Sequence, residues 1–419
     1  MRILVASPGS EPSPPAWTTA SAREPEAGRP AGLGLYLHTP FCATKCPYCD
    51  FYSGVFPDQG VPGFERAFAA EARAAAADPD LAAWLTREPV TSVFLGGGTP
   101  SHLPAPALRA LFQTLREHFP LAAAAEITAE ANPESLTAEK ADLLLALGVN
   151  RVSVGVQSLI DPVLRALGRP HDAETAFHAA ALARARFPAV NFDLILAAPG
   201  LTPAGVASTV DRLLELGPDH LSAYGLTIEP GTGFGARAAR GELTPAPDEE
   251  YLAEDELVTV AAARAGLFRY EISNYARPGA ECAHNLAIWR GGYYLGLGPS
   301  AASTLPGGAF GRRRTNVADL AAYVGSWGAG RPCAEEELLT REAAMIETLL
   351  LGLRLNEGIA GTRFEQRFGT SLAAALPVLP ALVAGGFLTW DSAHLQLTER
   401  GRPLLDAILG RLTAGLARA

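Results

Sequence analysis

Three cysteines, Cys42, Cys46 and Cys49, stand within eight residues in the stretch HTPFCATKCPYCDFYS. Thiolates this close together can hold a metal centre. A structural zinc would want a fourth ligand, and no second C-x-x-C pair exists; only Cys282 and His284, far along the chain, could supply one. An iron–sulfur cluster follows a different logic. Four-iron clusters are usually held by four cysteines, so three would leave one iron open to a substrate or cofactor. A second chemical signal is Gly96-Gly97-Gly98-Thr99-Pro100, because glycines let a backbone approach a ligand closely at a strand end. Beyond it come Glu130, Asn132, Gln157, Asp193 and Tyr224 at wide intervals.

These side chains must be brought together by elements the apolar pattern reveals. Short apolar runs at Leu35–His38, Val93–Leu95, Glu126–Glu130, Arg151–Gly155, Val190–Leu196 and His220–Leu226 read as strands. Between them lie amphipathic stretches such as GFERAFAAEARAAAA, PALRALFQTLREHF and TAEKADLLLALG. Strands alternating with longer helices predict an α/β fold of parallel units with right-handed crossovers. Six units are too few for a complete eight-fold barrel, so an open or partial barrel stands beside a doubly wound sheet. The polar residues fall at the C-terminal strand ends, where β/α barrels carry their chemistry, which predicts one active-site mouth.

Four segments are expected: a disordered leader over 1–32, the barrel over 33–235, a linking segment over 236–334 and a second unit over 335–419. Within the last, helical EEELLTREAAMIETLLLGLRL precedes two apolar runs flanking Asp391-Ser392, which predicts a winged-helix-like α+β module. Its recognition stretch lacks a basic run, which favours a structural role over DNA binding. The chain has 419 residues with 34 basic against 44 acidic side chains, a net charge of −10 that argues against nonspecific nucleic-acid binding. Five cysteines in so long a chain exclude a disulfide scaffold and fit a reducing cytosol. No run approaches a membrane span.

The spacing C-x3-C-x2-C with Tyr48 before the third cysteine resembles the radical S-adenosylmethionine (SAM) superfamily. That resemblance implies a partial (β/α)6 barrel, a [4Fe-4S] cluster on Cys42, Cys46 and Cys49, and SAM chelating the open iron. The series Tyr36-x-His38-x-Pro40-Phe41-Cys42, GGGTPS, EANP, RVSVGVQS, LGRPH, YGLTIEPGT, YEISNYA and CAHN narrows the likeness. It resembles the oxygen-independent coproporphyrinogen III oxidases and their HemW-type relatives, over roughly residues 33–410. True oxidases carry a fourth cysteine two residues after the third, where Phe51 stands here. The resemblance therefore implies the heme-chaperone branch, binding heme and passing it to acceptor proteins. The alternative is an oxidase forming protoporphyrinogen IX by radical oxidative decarboxylation of coproporphyrinogen III.

By the same resemblance Tyr36, Tyr48, Gly97, Gly98, Thr99, Glu130, Gln157, Arg169 and Asp193 fall on SAM-contacting positions. An acid could take ribose hydroxyls, and Arg169 could fork onto a carboxylate. Cys282-Ala283-His284-Asn285-x-x-Ile288-Trp289 resembles the segment whose histidine is the proposed heme ligand, as a neutral imidazole suits heme iron. Three departures stand out: Ile288 for a usual tyrosine, Ala302 for a common histidine, and Ala197-Ala198 for Gly-Leu. Cys333 matches nothing in the family and is expected to be a small buried apolar residue. The expected partners are heme and heme-accepting proteins, with no nucleic acid, in the cytoplasm. HemW-type relatives can associate with membranes, but no amphipathic basic helix is evident in this chain.

Overall fold

The structure is a computed structural model that describes residues 29–55, 63–329, 334–391, 393–414 and 416. Its first strand, β1 (Leu33–Thr39), shows how both faces of each strand are used. Leu33, Leu35 and Leu37 are fully buried on one face, while Gly34, Tyr36 and His38 alternate onto the other. The same alternation runs through β2 (Val90–Gly97), β3 (Leu121–Ala131), β4 (Arg151–Gln157), β5 (Ala189–Leu196) and β6 (His220–Gly225). Apolar residues such as Val93, Leu95, Val152, Val154, Val190 and Phe192 pack in the main core with the surrounding helices. Polar residues occupy the opposite face: Ser92, Glu126, Glu130, Arg151, Ser153, Asn191, Asp193, His220 and Ser222.

All six strands are parallel and lie side by side in chain order, β1-β2-β3-β4-β5-β6. A doubly wound sheet would reverse its order at a switch point. The sequential order settles the architecture as the partial barrel. The intervening helices start where the sequence offers side-chain caps. Thr137, Asp172 and Thr202 each accept a backbone N–H three residues on, opening helices Ala138–Ala146, Ala173–Arg186 and Pro203–Leu214.

The segment 236–334, expected as a link, adds strands on both sides of this sheet, and the outermost strand on one side runs on into the segment expected to open the C-terminal module. Strand β7 (Tyr293–Leu297) adds in parallel beside β1, followed by an antiparallel meander of β8 (Ala302–Leu305), β9 (Arg312–Asn316) and β10 (Ala334–Leu338). At the other edge the short strand Asn274–Ala276 pairs antiparallel with β6 and with Phe268–Arg269. Of the expected leader, residues 1–28 lie outside the described residues, whereas 29–32 are docked. Arg29 is buried, bonded to the carbonyls of Gly291 and Phe310 at 2.6 and 2.7 Å, and lies over the Tyr293 ring.

A separate core gathers Met345, Leu349, Phe364, Leu382, Leu395 and Leu409 in the C-terminal module. Strands Ile359–Ala360, Leu388–Trp390 and His394–Leu397 form its small antiparallel sheet, packed with helices Arg341–Gly352, Gly361–Phe368 and Leu405–Thr413. The hairpin and helices match the expected winged-helix-like pattern.

Candidate functional site

Past the end of β1 the chain enters the cysteine loop through Pro40. Phe41–Cys42 pairs with Gly54–Val55, closing the loop on itself, and Cys49 N–H donates to the Cys46 carbonyl at 3.1 Å. The loop is sewn to the end of β2 by Gly98 N–H to Thr39 O and Thr99 N–H to Phe41 O, both 2.7 Å. This contact explains the glycines. A Cβ on Gly98 would stand 2.6 Å from the Thr39 carbonyl oxygen, and one on Gly97 would stand 2.5 Å from the His38 ring. Gly97 also has φ 101°, a conformation that excludes most side chains. These glycines let the end of β2 pack against the end of β1 and the start of the cysteine loop.

Hydrogen-bond donors aim at the sulfurs. Thr99 Oγ1 donates to Cys42 Sγ at 3.7 Å, and Arg169 Nη1 donates to Cys46 Sγ at 3.5 Å. Burial pushes the Cys42 thiol up, opposed by the hydroxyls of Thr99 and Ser53, while Cys49 and Cys46 add repulsion between thiolates. Two of the three thiols are thus met by donors, which suits a cluster whose sulfurs carry negative charge. Among the described residues no three His, Cys, Asp or Glu groups gather closely enough for one ion. Cys42, Cys46 and Cys49 are the thiols that would hold an iron–sulfur cluster, the group the radical SAM resemblance implies.

Above the loop the inward face of the strands forms the mouth. Glu130 Oε2 accepts the Gly97 N–H at 3.3 Å. Its carboxyl is pushed up to about 8, chiefly by burial, with Asp193 adding and the Gly97 bond opposing. Asp193 accepts from Ser153 Oγ and Asn191 Nδ2, each at 2.8 Å. Burial raises it too, against the bonds from Ser153, Ser222 and Asn191. Tyr36 donates or accepts at His38 Nδ1 across 3.0 Å, and its phenol is pushed up by burial and by Glu130. Tyr48 lies against Phe234, with ring centroids 6.3 Å apart, and burial raises its phenol as well.

Gln157 ends β4 at an irregularity in its pairing with β5 and adopts φ 64°, unusual for a residue with a side chain. Gly155 beside it has no room for a Cβ, which would meet Gln157 Nε2 at 2.8 Å and Asn132 Oδ1 at 2.9 Å. Arg169 is held by the protein's own groups. Both its Nη groups are committed to the protein, with Nη2 donating to Asn132 Oδ1 at 2.6 Å and to Gly155 O at 3.2 Å. Only its buried Nε lacks a bond among the described residues. The guanidinium therefore ties β3, β4 and the cysteine loop together. Asn132 completes the set by donating to Thr99 Oγ1 at 2.9 Å.

Two features escaped residue-by-residue reading. Asn132 joins Arg169 to Thr99, and a chain of Ser153, Asn191, His220 and Tyr270 runs beneath Asp193 through bonds of 2.7 to 2.9 Å. The signal was available: in RVSVGVQ, NFD and HLSAY the polar residues recur at every second position, which marks one inward face.

His284 is not brought to the mouth. It opens the helix Ala283–Trp289, whose first N–H groups, from Ala283 and His284, donate to the Glu126 carboxylate at 3.0 and 3.1 Å. Its imidazole lies against Ser92 Oγ at 2.9 Å and stacks on Phe94. Burial pulls it down to about 3, so it is neutral. Ser92 lies five residues before Gly97 on the same strand, which at the usual rise is roughly 16 Å from the mouth. Cys333 lies outside the described residues.

Comparison with known proteins agrees with this geometry. Residues 36–213 match the radical SAM superfamily and residues 339–404 the HemN C-terminal domain. The chain is 40% identical over 399 residues to the heme chaperone HemW of Mycobacterium tuberculosis (strain ATCC 25618 / H37Rv), covering 93% of this chain and 96% of that protein. To the heme chaperone HemW of Escherichia coli (strain K12) it is 35% identical over 385 residues, 90% of this chain and 97% of that one. The structure of coproporphyrinogen III oxidase (HemN) from Escherichia coli, a radical SAM enzyme, superimposes with a TM-score of 0.76 at 26% identity, covering 91% and 90% of the two chains. With a matching barrel, C-terminal module and near full-length relatives, the chain belongs to the HemW family of radical SAM proteins.

Proposed function

We propose that this protein is a heme chaperone that holds a [4Fe-4S] cluster on Cys42, Cys46 and Cys49, binds SAM at the open iron, and carries heme to acceptor proteins in the cytoplasm. The observation that carries the reading is Phe51. It stands 67% exposed where the oxidases have their fourth cysteine, so this loop offers three thiols and an apolar face. The likeness to the heme chaperones HemW of Mycobacterium tuberculosis and Escherichia coli supports heme as the cargo.

When bound, the cluster and SAM supply one-electron chemistry at the mouth. The chain's own residues prepare the place. Thr99 Oγ1 and Arg169 Nη1 donate to the sulfurs of Cys42 and Cys46. Near neutral pH Glu130 keeps its proton, accepts the Gly97 N–H and retains a hydroxyl to donate into the mouth. Tyr36, Tyr48, Gly97, Gly98, Gln157 and Asp193 line the SAM side in this reading, and Arg169 acts by bracing it.

The second reading is oxidative decarboxylation of coproporphyrinogen III, favoured by the structural likeness to HemN. The two separate on one pair of assays. Anaerobically reconstituted protein is titrated with heme, then incubated with coproporphyrinogen III, SAM and reductant. Saturable heme binding without protoporphyrinogen supports the chaperone, and protoporphyrinogen formation by an intact cluster supports the oxidase.

A further inference from the structure

The helix Ala283–Trp289 carries the family's histidine, yet it packs beneath the starts of β1, β2 and β7, at the end of the barrel remote from the cysteine loop. Its attachment there is specific. One carboxylate, Glu126, caps the helix by accepting the N–H groups of Ala283 and His284, and also receives the Cys282 thiol at 3.5 Å. The His284 ring fills a slot between Ser92 on β2, Phe94 on the same strand, and Gly34 on β1. Ring centroids of Phe94 and His284 are 5.3 Å apart, and a Cβ on Gly34 would already stand 3.2 Å from the imidazole.

Only 3% of His284 is exposed. A porphyrin needs open space across its whole plane around the ligating nitrogen, and a ring enclosed on both faces offers none. We infer that His284 is a positioning residue that seals the barrel floor and does not itself receive the heme iron. The inference rests on heme being the cargo, as proposed above.

What it positions follows from the register. Ser92 and Glu126 are direct partners across β2 and β3, the two strands whose far ends present Gly97 and Glu130. A one-residue slip at the floor would turn every mouth residue to the opposite face. The helix also extends the brace to the C-terminal module. Trp289 lies under the Arg354 guanidinium at 4.5 Å, and Arg290 pairs with both Glu357 oxygens at 2.7 Å.

The test uses full-length, cluster-loaded protein. His284→Asn can replace Nδ1 against Ser92 but is a poor iron ligand. It is expected to keep the wild-type Tm and Soret position, with a heme Kd within about threefold of wild type. His284→Ala and Ser92→Ala should lower Tm and cluster loading together, while the heme bound by the folded fraction keeps its spectrum. A His284→Asn protein with wild-type Tm that loses heme, or shifts its Soret band, would overturn the inference. Diethylpyrocarbonate supplies a heme-independent arm. Exposed His178 and His394 should be modified and His284 spared; modification of His284 at the rate of His394 would overturn the sealed floor. Failure of the wild type to bind heme would remove the proposed function, and the Asn rescue of Tm and the modification pattern would still decide the role of His284.

Discussion

Arg169 reaches from beyond β4 to place a guanidinium N–H 3.5 Å from the Cys46 sulfur, while its other terminal nitrogen holds Asn132 at 2.6 Å. One side chain thus joins the cysteine loop to the ends of β3 and β4. Hydrogen bonds to cluster sulfurs tune reduction potential. Arg169→Lys cannot reproduce the planar fork, so the cluster potential should fall and the protein should lose about 1.5–3 kcal/mol for a charged bond broken. Redox titration followed by electron paramagnetic resonance, paired with urea unfolding, measures both. An unchanged potential would remove the Arg169–Cys46 contact from the account.

Gly98 is required by crowding, since its Cβ would collide with two backbone oxygens, of Thr39 at 2.6 Å and Phe41 at 2.7 Å. Neither atom can move without displacing the cysteine loop. Gly98→Ala should cost about 1–3 kcal/mol and reduce iron bound per chain after reconstitution. Gly231→Ala is the control, because nothing lies within 4 Å of its Cβ position. Equal iron loading in both variants would show that the loop does not depend on this approach.

The mouth carboxyls set a dependence on pH. Glu130 is raised from 4.5 to about 8 in the folded protein, so between those values the folded state holds a proton that the unfolded chain has released. Stability therefore falls as pH rises from 4.5 to 8, and Asp193, also raised, acts in the same direction. Glu130→Gln should flatten this decline in the cluster-free protein. Urea midpoints between pH 5 and 8.5 provide the readout, and an undiminished slope would contradict an uncharged Glu130.

At the floor the sign is opposite. His284 is lowered from 6.5 to about 3 by burial, so the unfolded chain binds a proton that the folded ring refuses. Its contribution is complete above pH 6.5 and is lost as pH falls toward 3, by on the order of 5 kcal/mol. His220, also buried and lowered, adds to the same acid limb. His284→Asn should make that limb shallower in pH-dependent unfolding. An acid limb as steep as in the wild type would mean that the ring is solvated.

Most of the barrel is legible in the sequence, because β1–β6 repeat one local pattern of apolar residues alternating with polar ones. Local patterns do not reveal what returns from far away. β7 adds beside β1 from some 260 residues on, and nothing in GGYYLGLGPS declares which strand it will meet. The cysteine spacing and the mouth residues were legible as chemistry. The packing of the glycines was not, since Gly98 meets the Thr39 and Phe41 backbones and Gly97 the His38 ring, neighbours that only the fold brings together. His284 was legible as part of a motif, but its burial depends on Glu126, Ser92 and Gly34, each more than 150 residues away in sequence. Arg169 could be read as a cation, whereas its Asn132 and Cys46 partners could be read only from the fold.

The most direct measurement is anaerobic reconstitution of the full chain, followed by addition of heme, with iron, bound heme and released deoxyadenosine quantified in the same sample. About four irons per chain, lost on replacing Cys42, Cys46 or Cys49 by alanine, together with stoichiometric heme and no conversion of coproporphyrinogen III, is the expected result. Zinc in place of iron, or protoporphyrinogen formed in proportion to deoxyadenosine, would contradict a three-thiolate cluster serving a heme carrier.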